Sequence, residues 1–334
     1  MAANYLHMQP FLSVNDADSM LRIAEAFDSF GTYANEASSE GLGEQLPQRF
    51  DAGMNYFNSG IDGTGNDDDP ITAASRTNYF RETYAYGADI KAPGVEAFME
   101  NQKMVETAQR ISNCELIVPA IVYANLLIPG QELAIHTDVP EFRGANRRLL
   151  PQWLLVCMLH SGLFEKWRIP ILTCVSWFGS ADGGAFTFYP DGASGQRQSI
   201  PANHNSAILI DTDMVFHGVE RVKQALPDLP AIGKQTRLHY CGDGEWQLRQ
   251  ENIPVADYRW PQLRYSISWK AYCFEDQAEE ALWREGTGDL SLDFILEVFE
   301  VELKARGLIT GKRPQPDDFA LLLVNSFIHF PKAA

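Results

Sequence analysis

Between residues 115 and 274 the chain breaks into short β-rich runs separated by turn signals, and no other feature limits its fold as strongly. ELIVPAIVYANLLI, ELAIHTD, PILTCVSWF, GAFTFYPDG, SAILIDTD, VFHGVERV and RYSISWKAYCF are rich in branched and aromatic residues. Pro129-Gly130 and Asp191-Gly192 are among the turn dipeptides that punctuate them. Segments of this length, joined by turns, are what an antiparallel barrel or sandwich requires.

Helical spacing flanks this zone. Met20, Ile23, Ala24 and Phe27 recur on one face behind Asn15 and Asp16, whose short polar side chains suit a helix cap. Phe98, Met99, Val105, Ala108 and Ile111 give a second amphipathic segment ahead of Ser112 and Asn113. Between them, Gly60–Pro70 (GIDGTGNDDDP) clusters Asp and Gly but lacks the spaced ligands and closing Glu of an EF-hand, so it reads as a solvated loop. Downstream, Leu292, Ile295, Leu296, Phe299 and Leu303 form an apolar stripe from Ser291 to a stop at Gly307, and DDFALLLVNSFIHF is expected to be a short buried helix. The expected fold is α+β with a mainly β core and helices packed outside. Residues 1–114 form a helical and irregular buttress, 115–274 the core with an insertion near 220–260, and 275–334 the C-terminal helices. A decorated barrel reaches 334 residues as a single domain.

Charge and composition narrow the partners. The chain carries 27 Lys and Arg against 44 Asp and Glu, a net −17. Such a surface would release no counterions from a phosphate backbone and is repelled by anionic lipid, so neither nucleic acid nor a membrane is an expected partner. No apolar run approaches the roughly 18 residues of a membrane span, and MAANYLHMQPFLSVNDADSM has no basic stretch leading an apolar one. The five cysteines (Cys114, Cys157, Cys174, Cys241, Cys273) are scattered, odd in number and without a CxxC pair. Free thiols in a reducing cytoplasm are therefore expected, not a zinc or disulfide framework.

Chemistry enters with His136-Thr137-Asp138 at the end of a strand-like run. Residues two apart in a strand share a face, so His136 and Asp138 converge. His217, in DTDMVFHGVERV, offers a second imidazole from another β segment. Two imidazoles and a carboxylate on one face of a metal leave three positions open, an arrangement suited to non-heme Fe(II). A bland reading also exists, with both histidines hydrogen-bonded in the core and Asp138 in a turn, because HxD triplets arise by chance. Arg264 and Ser266, in LRYSISWKAYCF, share a strand face where a guanidinium and a hydroxyl can grip a carboxylate; an exposed strand edge would hold the same pair.

In this order, HTD, HGVERV and RYS resemble the Fe(II)/2-oxoglutarate-dependent dioxygenase superfamily over about residues 116–274. The resemblance implies a double-stranded β-helix core (a jelly roll or cupin-like barrel) and makes His136, Asp138 and His217 the iron ligands. It makes Arg264, with Ser266, the anchor for 2-oxoglutarate, and gives Asn125 and Tyr123 contacts to that cosubstrate. GGAFTFYPDG resembles the mid-barrel hairpin, read as scaffold. In many members the arginine closely follows the distal histidine, whereas here residues 218–263 intervene, so Arg237 and Arg221 are rival anchors. Asp138 stands where the halogenase branch has a small residue, which disfavours halogenation. The implied activity consumes Fe(II), 2-oxoglutarate and dioxygen (O2) and oxidises an unactivated C–H bond of a small molecule by hydroxylation, desaturation or cyclisation, yielding succinate and CO2. A non-redox cupin-like metal protein or isomerase would keep the triad but need neither Arg264 nor Ser266. Arg143 is a candidate substrate contact or an ion-pair partner. His160 reads as a core histidine, and Arg76 and Arg81 as residues of a surface strand.

Overall fold

The computed structural model describes residues 4–35, 49–61, 68–223 and 229–332. Its first part contributes β1 (Tyr5–Met8), α1 (Val14–Phe27), β2 (Ser29–Thr32), α2 (Phe50–Ser59), α3 (Pro70–Thr77), β3 (Phe80–Tyr86), β4 (Asp89–Ile90), α4 (Glu96–Met99) and α5 (Gln102–Ser112). The central zone supplies β5 (Leu116–Leu127), β6 (Leu133–His136), β7 (Glu141–Phe142), α6 (Gln152–Ser161), β8 (Arg168–Ile169) and β9 (Ile171–Phe178). It continues with β10 (Phe186–Phe188), β11 (Gln198–Ile200), β12 (Ser206–Ile210) and β13 (His217–Val219). Then come β14 (Thr236–Gly242), β15 (Glu245–Gln250), β16 (Ile253–Arg259), β17 (Arg264–Phe274), α7 (Gln277–Glu285), α8 (Leu292–Ala305) and α9 (Pro316–Phe327).

In the main sheet the order β12-β9-β17-β5 forms a contiguous block, and β11-β10-β13-β6 forms the second sheet. The chain therefore passes from one sheet to the other repeatedly: β5 to β6, β9 to β10, β11 to β12, β12 to β13, and finally back to β17. That winding is a double-stranded β-helix. β17 is held on both sides, by β5 from Arg264↔Leu127 to Phe274↔Leu116 and by β9 from Tyr265↔Phe178 to Tyr272↔Ile171. Its alternation sorts its side chains. Tyr265, Ile267, Trp269 and Ala271 join the apolar core under α1, α4 and α5; Arg264, Ser266, Ser268 and Lys270 take the opposite face, inside the barrel. The Tyr265 hydroxyl donates to the Met20 carbonyl at 3.2 Å and the Trp269 indole to the Met99 carbonyl at 3.2 Å, which ties the helices to the sheet.

Residues 1–114 were expected to be helical and irregular, and here the structure corrects the sequence. They also supply β1, paired with β12, and β2 and β3, which extend the main sheet beyond β5. The insertion forms β14–β16 and continues that sheet through the β14–β2 pairing. Strands whose partners lie far away in the chain carry little signal of their own, because pairing and burial stabilise them more than propensity does. Arg81, read as a surface residue, consequently lies on β3, between β2 and β5.

The helices follow their local chemistry. The cap of α1 is Ser13, whose Oγ accepts from the Asp16 amide at 3.2 Å, in place of Asn15 or Asp16. The segment expected as one helix over Phe98–Ile111 is broken before Asn101, which caps α5 by accepting from the Met104 amide at 3.2 Å. Ser291 caps α8 as expected. Of Gly60–Pro70, residues 62–67 lie outside the described residues; Asp69 caps α3. A second core joins α6, α8 and α9 through Leu154, Leu155, Ile295, Phe299, Leu323 and Phe327. Among the described residues no helix is long and apolar enough to cross a membrane.

Phe299 is fully buried, with the rings of Phe164 and Phe327 each 5.2 Å away. Phe299→Ala should cost about 3–5 kcal/mol in urea unfolding, whereas Val301→Ala, on the exposed side of α8, should stay within about 0.5 kcal/mol. His160, on α6, stacks on Phe216 at 5.1 Å, and its burial lowers its pKa to about 4. The unfolded chain then binds more protons than the native one below the ordinary histidine value, so stability falls as pH drops from about 6.5 to about 4. The loss attributable to His160 should reach about 3 kcal/mol, and His160→Phe should flatten that part of a urea-midpoint versus pH profile.

Candidate metal centre

His136 closes β6 and His217 opens β13, and the antiparallel register sets them opposite each other with ring centroids 4.4 Å apart. Just past β6, the Asp138 amide donates to the Thr212 carbonyl at 2.8 Å, which turns the carboxylate back over the two rings. Its Oδ1 lies 3.5 Å from His136 Nε2 and 3.8 Å from His217 Nε2. Each Nδ1 faces a backbone carbonyl, Ala134 at 2.7 Å and Val215 at 2.8 Å. A proton held on Nδ1 leaves the Nε2 lone pair directed at the shared space. Ligand atoms about 2.1 Å from a common ion stand roughly 3 Å or slightly more apart, and these three lie within 4.8 Å of one another. The sequence-derived triad is thus brought together with the donor set and spacing of a metal site.

Electrostatics prepares the same donors. Burial, then the neighbouring His136, lowers the His217 pKa to about 3, so its imidazole is neutral near pH 7. Burial opposes ionisation of Asp138, but Lys270 and the two histidines outweigh it and hold the carboxyl well below the usual range. Lys270 was not anticipated from the sequence. Its Nζ sits 2.6 Å from Asp138 Oδ2, and Asp138 raises its pKa despite burial. The signal was present as the alternation Arg264, Ser266, Ser268, Lys270 in RYSISWK.

Further along the same face of β17, Arg264 is buried. Its Nε donates to the Gly184 carbonyl at 2.6 Å and its Nη1 to Ser266 Oγ at 3.3 Å. Its Nη2 is buried with no hydrogen-bond partner among the described residues, and burial lowers its pKa to about 9. The GGAF hairpin is part of this cradle: a Cβ on Gly184, at φ +65°, would lie 2.5 Å from Arg264 Cδ. Ser266 stands in register between Asn125 on β5 and Trp177 on β9. Asn125 Oδ1 and Trp177 Nε1 are also buried without a partner among the described residues. Trp177 was missed in the sequence, where it reads as one more apolar strand residue. Tyr123 pairs with Ser268, and the Arg81 guanidinium lies 3.8 Å over its ring.

The other candidates are engaged elsewhere. Arg237 contacts Glu82 at 3.2 Å and Ser29 Oγ at 3.0 Å. Arg221 reaches Glu132 through Nε at 2.9 Å and Nη2 at 3.2 Å. Arg143 donates to the Thr287 carbonyl at 2.9 Å. A buried pair that the sequence reading did not single out, Arg49–Asp51, has Asp138 among the charges acting on the guanidinium.

No family model and no curated protein matches this chain. Among solved structures, it is similar to a prolyl-4-hydroxylase from Pseudomonas putida at 10% identity, covering 82% of this chain and 94% of that one, with a TM-score of 0.41. It is similar to a prolyl hydroxylase from Trichoplax adhaerens in complex with a hypoxia inducible factor peptide fragment, at 11% identity over 83% and 86% of the two chains and a TM-score of 0.41. HygX from Streptomyces hygroscopicus, with nickel, 2-oxoglutarate and hygromycin B bound, is similar at 8% identity over 81% and 84%, with a TM-score of 0.42.

Proposed function

We propose that this protein is an Fe(II)- and 2-oxoglutarate-dependent oxygenase acting on a small molecule. The observation that carries this reading is Arg264, a buried guanidinium whose Nη2 has no partner among the described residues, in the same barrel as the His-Asp-His cluster. An unsatisfied buried donor costs about 1–3 kcal/mol, a cost removed when a carboxylate arrives. A non-redox metal protein built on the same triad has no use for it.

His136, Asp138 and His217 would hold the ion on one face. When bound, Fe(II) supplies oxidative decarboxylation of 2-oxoglutarate by O2, giving succinate and CO2 with oxidation of a substrate C–H bond. The chain's own residues do the rest. Arg264 and Ser266 bind the distal carboxylate as a charge-assisted pair in a water-poor pocket. The Trp177 indole and the Asn125 amide border Ser266 and complete its polar surroundings. Val175, Phe186, Phe188, Ile208, Ile210 and Val215 form the apolar cluster between the sheets and exclude water from the reacting groups. An amino acid, its derivative or a secondary metabolite is the proposed substrate class.

Asp138→Ala and His217→Ala should each abolish formation of succinate from 2-oxoglutarate; turnover persisting in either variant removes the reading. In calorimetry with Mn2+ under anaerobic conditions, Arg264→Ala should weaken 2-oxoglutarate binding by about 10- to 100-fold, the loss of a charge-assisted contact. Arg237→Ala and Arg221→Ala should leave it unchanged. Equal affinity in Arg264→Ala would mean that the anchor lies elsewhere.

A further inference from the structure

The two oxygens of Asp138 have different neighbours. Oδ1 faces His136 Nε2 and His217 Nε2 at 3.5 and 3.8 Å, while Oδ2 is taken by Lys270 Nζ at 2.6 Å. Lys270 cannot easily shift. It stands on the central strand, in register with Ile121 on β5 and Thr173 on β9, and its side chain is 16% exposed. Asp138, Tyr123 and Asp213 are the groups whose charges act on it most. Asp213 is fully buried, with both oxygens unpaired among the described residues.

We propose that Lys270 is a positioning residue for the metal carboxylate: it reserves Oδ2, so that Asp138 gives the ion one oxygen and three positions stay open. This rests on the oxygenase reading above. A free carboxylate can bind a cation through both oxygens, and doing so here would occupy a position that 2-oxoglutarate or O2 requires. The ammonium also leaves more positive charge at the loaded centre. That charge weakens the hold on the ion and favours a doubly anionic cosubstrate, since both terms are Coulombic at short range in a poorly solvated site.

The inference is tested on full-length, metal-stripped protein by calorimetric titration with Mn2+, then with 2-oxoglutarate on the Mn2+-loaded form. Relative to the parent, Lys270→Met should bind Mn2+ about tenfold tighter and 2-oxoglutarate about tenfold weaker, the scale of one missing charge beside the ion. The visible absorption of the Co2+-loaded variant should shift as the carboxylate changes its mode of binding. Lys270→Gln retains a neutral donor. It should also tighten Mn2+ binding but lose less 2-oxoglutarate affinity, and it reads the charge effect if Lys270→Met does not fold. Unchanged constants in a folded variant, or a joint loss of Mn2+ and 2-oxoglutarate affinity, overturn the proposal. A parent protein that binds neither ligand overturns the oxygenase reading instead.

Discussion

The pairing of β17 on both sides is the constraint on which the rest depends. An eleven-residue strand clamped between β5 and β9 has no freedom to slip, since a one-residue shift would turn Arg264, Ser266 and Lys270 into the helix-covered core and Tyr265, Ile267 and Trp269 into the barrel. Either exchange would bury charge without partners. One strand thereby places a guanidinium at its start and an ammonium six residues on in the same interior.

The second sheet meets this strand with complementary geometry. The β6–β13 register sets two imidazoles opposite each other, and the Asp138–Thr212 backbone bond returns the carboxylate to them. The carbonyls of Ala134 and Val215 orient the rings. No part of this depends on the acidic exterior. The net −17 belongs to the chain as a whole, while the barrel interior holds two cations, the buried Arg264 and Lys270, the latter paired with Asp138.

Much of this site was legible in the chain. RYS carries its strand-face geometry in the residues themselves, because a period of two follows from backbone pleating; HTD and HGV showed the donor types, but Asp138 lies past the end of β6 and reaches the two rings through its backbone bond to Thr212. The cap at Ser291 also obeys local rules. Less legible were β1, β2 and β3, whose pairing partners are far away in sequence, and Trp177, whose indole nitrogen matters only because Ser266 is its cross-strand neighbour. Arg81 read as a surface residue for the same reason: alternation with aromatics says that a residue lies on a strand, not which strands flank it.

By itself the sequence determined the β-rich core, its helical flanks and the donor types of the triad. These are properties of composition and short-range spacing. Only the tertiary structure decided that Arg237 and Arg221 are already paired while Arg264 Nη2 has no partner among the described residues, and that Lys270 occupies the second oxygen of Asp138. Whether a charged group has a partner depends on contacts between segments distant in the chain. Those contacts are set by sheet order and register, which no local pattern encodes.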